Sequence, residues 1–212
     1  MQYIKSASLE HLPSRISYLS TFLDLTPGDT EALLAAKPLI APLIPNILDA
    51  VYTKLLNFDI TAQAFVPKNT GFEGVVAEKV EDLNLVNYLV RLVSTKDLGP
   101  ESSFWLYMNN VGIMHTGKPG FKHREKKPEL RVEFIHMGAL LGYVIDLVIG
   151  AVMEMDALDL QTKSRVLRAF NKVLWIQNDL FARHYLKDSE DGEGVTLPSE
   201  HAENRRVLWN NF

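Results

Sequence analysis

The placement of proline constrains this chain more than any other feature. Nine prolines lie between Pro13 and Pro128, and none lies between Glu129 and Lys187. A proline inside a helix removes an amide donor and clashes with the preceding turn, at a cost of about 3 kcal/mol. Shorter or kinked helices are therefore predicted before residue 129. The proline-free tract is predicted to hold two long helices, divided at Met155-Asp156-Ala157-Leu158-Asp159, where the aspartates suit N-capping of the second. Apolar residues recur at helical spacing and sustained alternation is missing, so the fold class read from the sequence is all-α.

At 212 residues and 47% hydrophobic composition the chain is long and apolar enough for one large domain. Cysteine is absent, which excludes disulfides, thiolate metal sites and cysteine nucleophiles. The formal charge of -4 gives no support to nucleic-acid binding, and -3 of it falls in residues 187–212. That stretch is read as an acidic, flexible tail, and residues 1–25 as an N-terminal extension with a short helix. Met1 to Leu12 shows no targeting pattern, so a cytoplasmic address is expected. Phe134 to Met153 approaches the length needed to cross a bilayer core of ~30 Å. Its His136, Asp146 and three glycines fit a helix buried within a bundle better, and no membrane partner is expected.

Within residues 26–186, Thr26-Pro27 reads as N-cap and first helical residue. Pro38, Pro42 and Pro45 are expected to break or bend that helix. A second follows over about 46–57, then a loop from Phe58 to Thr70, and a third helix over about 72–94. The fourth, over about 101–116, is the informative one: Phe104, Met108, Val111 and His115 share one arc, and Gly117, Pro119 and Gly120 end the helix directly behind the histidine.

A histidine on such an arc is either a core residue satisfied by a carbonyl or a ligand. Delivered by a short helix among aromatic and aliphatic side chains, a neutral imidazole meets the requirement of the proximal side of a haem pocket. Its second nitrogen would be held by a carbonyl or water that fixes the tautomer. Tyr52 is either a core tyrosine or a hydrogen-bond donor to a diatomic ligand opposite that histidine. Tyr88 is placed for the same cavity, where it would add a donor, restrict entry or pack. Glu133-Phe-Ile-His136 is one Glu-x-x-His pair, whereas a di-metal carboxylate site needs two such pairs and further glutamates. His136 reads as a buried polar residue, and His123 and His184 as surface residues. No G-x-S-x-G, Walker loop or His-Glu-x-x-His occurs.

Trp105-Leu-Tyr-Met-Asn-Asn-Val-Gly-Ile-Met-His115 resembles the proximal-helix signature of protoglobins and of globin-coupled sensor domains, an aliphatic-Gly-x-x-His run. Ile47-Leu-Asp-Ala-Val-Tyr52 is similar to the family's second-helix motif ending in the distal tyrosine. Phe65 falls where the family places an aromatic over the haem edge, and His136-Met-Gly-Ala-Leu resembles the start of the long penultimate helix. The resemblance covers about Thr26 to Leu186. It implies a globin fold of the three-over-three variant with an extra N-terminal helix. It also implies haem b with its iron on His115, further haem-site residues Tyr52, Phe65, Tyr88, Met108 and Val111, reversible binding of O2, CO or NO, and a homodimer through the last two long helices. Val51 departs from the tryptophan of some protoglobins, and Tyr88 from an apolar or phenylalanine residue.

One or two of Lys122, Arg124 and Arg131 would then pair with haem propionates, against the alternative of a solvated loop. The function expected is gas binding, with sensing through a separate partner or redox turnover such as NO dioxygenation as its extensions. A haem-free regulatory or adaptor protein on the same fold is the rival.

Overall fold

The structure is a computed structural model that describes residues 1–63, 85–126 and 129–189, with the backbone alone at 85–87 and 187–189. Phe65 and the predicted third helix before Leu85 lie outside the described residues, as does the tail from residue 190.

Every regular element among the described residues is helical. After a 3-10 turn at Ser6–Glu10 come α1 (Leu12–Phe22), α2 (Pro27–Ile40), α3 (Ile44–Leu56) and α4 (Asp59–Ala62), then α5 (Leu85–Ser94), α6 (Ser103–His115), α7 (Phe134–Met153) and α8 (Leu160–Ser189). The proline-free tract thus forms the two long helices expected. Asp159 starts the second, its carboxylate accepting from the Thr162 amide at 2.9 Å and the Thr162 hydroxyl at 2.8 Å.

At the start of α2, the Asp29 carboxylate accepts from the Thr26 amide at 2.7 Å and from the Thr26 hydroxyl at 3.0 Å. Pro38 does not break this helix. α2 runs through it to Ile40, because Ala36 and Ile40 on either side are buried and packing holds the turn despite one missing amide donor. Pro42 instead sits in a 3-10 turn, Ala41–Leu43, and Pro45 occupies the first turn of α3, where its missing donor has no intrahelical partner to lose. The expected loop after Phe58 also begins with structure. Asp59 accepts from the Ile60 amide at 2.8 Å and the Thr61 hydroxyl bonds the Leu55 carbonyl, which together stabilise the single turn α4.

α8 is the axis of the bundle, packed by α2, α6 and α7, while α5 lies against α2 and α3, and α3 against α7. Their shared core includes Leu33, Val51, Leu92, Trp105, Met108, Leu174 and Leu180, all 1% exposed or less. Full burial of side chains of this size contributes roughly 1.5–3 kcal/mol each. α1 is clamped on α8 by Arg15, which donates to both Asp179 oxygens at 2.5 and 2.7 Å, and the 3-10 turn before it by Arg183, which donates to the Glu10 carbonyl at 2.8 Å.

Candidate functional site

The site is built where α6 crosses α8. Ser102 caps α6 by accepting from the Phe104 amide at 3.2 Å, and the Trp105 indole donates to the Leu98 carbonyl at 3.1 Å, so the helix enters the core in a fixed orientation. Gly112 then allows close approach. A β-carbon at this position would stand 2.9 Å from the Phe181 ring and 3.0 Å from the Leu180 carbonyl oxygen. One turn later His115 lies beside Phe181, with ring centroids 5.9 Å apart and planes inclined by 28°.

The imidazole is tautomerically defined. His115 Nδ1 lies 2.8 Å from the Val111 carbonyl, which can only accept, so Nδ1 carries the proton and Nε2 the lone pair. Burial lowers the pKa of this histidine, the Val111 carbonyl opposes the shift, and the positive charge of Arg124 adds to it. The ring is therefore neutral at physiological pH.

Behind His115 the chain turns back on itself. Val132 donates its amide to the His115 carbonyl at 2.9 Å, Gly117 donates to the Leu130 carbonyl at 3.0 Å, and Thr116 pairs with Arg131 in an isolated antiparallel bridge. Tyr185 of α8 closes the loop: its hydroxyl donates to the Val132 carbonyl at 2.7 Å and reaches the His115 carbonyl at 3.2 Å. Gly120, at φ 66°, has room for no side chain, since a β-carbon there would meet the Asn110 carbonyl at 2.4 Å.

The other expected site residues are distributed as follows. Val111 is 7% exposed and joins Met137 and Phe181 in a small apolar cluster beside His115, whereas Met108 is wholly buried in the main core. Tyr52 on α3 and Tyr88 on α5 are half-buried and pack against that main core. Burial pushes the Tyr52 phenol up to about 12. The Tyr88 phenol is also raised by burial, an effect opposed by Gln177 and reinforced by Tyr107. Both remain neutral donors at physiological pH.

His184 differs from its expected surface role. It is half-buried, and its Nε2 pairs with Asn109 Oδ1 at 2.9 Å, a second tie between α6 and α8. His123 is exposed, as expected, with its ring stacked on Phe121. His136 keeps a buried Nε2 at 4.0 Å from the largely exposed Glu133. Among the described residues no group of three or more histidines or carboxylates could hold a metal ion.

Sequence reasoning missed Phe181, Tyr185 and Gln177. The signal for the first two was weak, because an aromatic in a long amphipathic helix reads as core. The signal for Gln177 was stronger, since it interrupts the apolar stripe Val173, Leu174, Ile176, Leu180.

An all-helical bundle that delivers a neutral histidine from the end of a short helix is the architecture of a globin. The fold agrees with a solved structure, the globin domain of the Geobacter sulfurreducens globin-coupled sensor, at a TM-score of 0.60 and 16% identity, covering 80% of this chain and 96% of that one. The protoglobin family model matches residues 12–191, and the chain belongs to the protoglobin family. No curated protein sequence matches it.

Proposed function

We propose that this protein is a haem-binding globin that reversibly binds a diatomic gas, O2, CO or NO, with His115 Nε2 as the protein ligand to the iron of haem b. The observation that carries the reading is the contact of Nδ1 with the Val111 carbonyl, which leaves a neutral imidazole with its Nε2 lone pair available. The donor set therefore fits the group. Haem, when bound, supplies the iron position at which a diatomic gas binds.

The chain's own residues supply the rest. Val111 fixes the tautomer, Phe181 supports the plane of the ring, and the raised phenol pKa keeps Tyr52 protonated as a hydrogen-bond donor to the gas. Lys122, Arg124 and Arg131 follow directly behind His115 and are the cations proposed to pair with the haem propionates. We propose that a second copy of the chain packs on the last two long helices, against the outer face of α7 and the exposed Trp175 of α8. There Ile135, Ile149 and Met153 are exposed, and β-carbons at Gly138, Gly142 and Gly150 would meet nothing within 4 Å. Light scattering of the purified protein tests the dimer. A cytoplasmic location agrees with gas binding by such a dimer.

The deciding experiment is optical. After haem reconstitution the protein should absorb strongly at about 400 nm, and His115→Ala should lose that band unless imidazole is supplied. Tyr52→Phe should accelerate O2 dissociation, and an unchanged rate would remove Tyr52 from gas binding. A wild-type protein that stays colourless overturns the proposal and leaves the haem-free adaptor in its place.

A further inference from the structure

A cleft of about 280 Å³ opens between the first turn of α2 and the first half of α8, lined by Thr26, Gly28 and Asp29 from the one and by Arg165, Arg168 and Lys172 from the other. The three cations follow at i, i+3 and i+7, which places them within about 60° of one another around the helix axis. Like charges at neighbouring positions of a helix face repel, so such a row is unfavourable without an anion close to it.

The carboxylate that lines the cleft is not that anion. Asp29 already accepts from the Thr26 amide at 2.7 Å, the Thr26 hydroxyl at 3.0 Å and Lys172 Nζ at 2.9 Å. Lys172 in turn donates to the Asp24 carbonyl at 2.6 Å, and the two charged side chains are only 15% and 11% exposed. That pair is complete and neutral. Arg165 and Arg168 differ from it: both are exposed, and neither makes a hydrogen bond or ion pair with any described residue. The cleft therefore carries two uncompensated positive charges. Its wall is also open at Gly28, where a β-carbon would meet only the Thr26 hydroxyl oxygen, at 3.6 Å.

Two guanidinium groups on one helix face suit a compact dianion. Each offers a planar fork of N–H donors that matches two oxygens of a phosphoryl group. A phosphate monoester supplies three oxygens and close to two negative charges near neutrality, whereas a carboxylate supplies two oxygens and one charge. The volume reaches the lower end of small-molecule sites, ~300 Å³, which leaves room for a small organic part beside the phosphoryl group. We propose that this cleft binds a small phosphate monoester, with Arg165 and Arg168 as the groups that hold its phosphoryl oxygens and the Lys172–Asp29 pair beside them. It shares no residue with the haem site and is independent of haem binding.

The test uses the full chain and glycerol phosphate as the probe, with sodium chloride at the same ionic strength as the control. The phosphorus NMR line of the probe should broaden on addition of protein, and ~10 mM probe should raise the melting temperature by about 2–4 °C over the chloride control. Arg165→Gln combined with Arg168→Gln should weaken binding about tenfold or more. The same double variant in chloride should melt at the wild-type temperature or above it, because both side chains are exposed and unpaired. A probe effect no larger than that of chloride, or equal binding by the double variant, would overturn the proposal. A double variant that melts well below wild type in chloride would overturn it too, since the arginines would then be compensated within the protein. Inorganic phosphate that binds more tightly than glycerol phosphate would overturn the monoester assignment in favour of the free anion.

Discussion

Gly112 faces Phe181 across the α6–α8 crossing with no room for a β-carbon, which would lie 2.9 Å from the Phe181 ring and 3.0 Å from the Leu180 carbonyl oxygen. The glycine of the aliphatic-Gly-x-x-His run is therefore a spacing device that brings His115 against α8. Gly112→Ala should cost about 1–3 kcal/mol through overpacking and weaken haem retention, and Gly112→Val should cost more. Thermal melts and the haem absorption band read both effects. Adding Phe181→Leu should recover only part of the loss, because the Leu180 carbonyl is backbone and cannot move aside. Full recovery would place the obstruction in the ring alone.

Tyr185 holds the return of the chain behind His115 through its contacts with the carbonyls of Val132 and His115. Tyr185→Phe should remove about 1 kcal/mol of stability and accelerate haem loss severalfold, measured as transfer to a competing apo-globin. Burial pushes the phenol up to about 12, so the wild-type contact should persist through the neutral range. A haem-loss rate equal to that of wild type in Tyr185→Phe would show that the loop holds without it.

Asp29 gives the pH dependence a defined sign. Burial alone would raise its pKa, but the Thr26 amide, Lys172 and the Thr26 hydroxyl together hold it below the usual aspartate range. A carboxylate lowered in the folded state contributes stability above its unfolded pKa, and the contribution is lost as pH falls through the folded value. Asp29→Asn should therefore cost about 1 kcal/mol near neutrality and reduce the acid sensitivity of unfolding below about pH 4. Lys172, which donates to Asp29 at 2.9 Å and to the Asp24 carbonyl at 2.6 Å, would lose one of its partners. Parallel acid unfolding curves for the two proteins would contradict this account.

Local signals in the chain read true. Thr26-Pro27 and Asp159 announced helix starts because capping needs only a few neighbouring residues. His115 was visible for a similar reason, as its helix face and the glycines behind it are short-range features. What stayed hidden depends on distant parts of the chain. Phe181 and Tyr185 acquire their roles from residues some 50 to 70 positions earlier, and nothing in an amphipathic stripe says which neighbour it will meet. Pro38 left a break and a bend both open, and the helix runs on through it because intrinsic propensity is a weak guide where residues on both sides are buried. His184 misled because charged sequence neighbours do not prevent a side chain from turning inward to Asn109.

The short 3-10 turn at Ala41–Leu43 also sets a direction. Leu33 and Val51, each 1% exposed, stand eighteen residues apart, which is five whole turns of a uniform α-helix, so in such a helix they would point the same way. Three residues wound at three per turn add about 60° of rotation. That phase difference lets α2 face α8 while α3 faces α7, with α5 held by both. The bearing of Tyr52 is thus fixed ten residues upstream, at Pro42. A substitution there that relaxed the turn should rotate Tyr52 about the axis of α3 without changing the identity of any residue of the site.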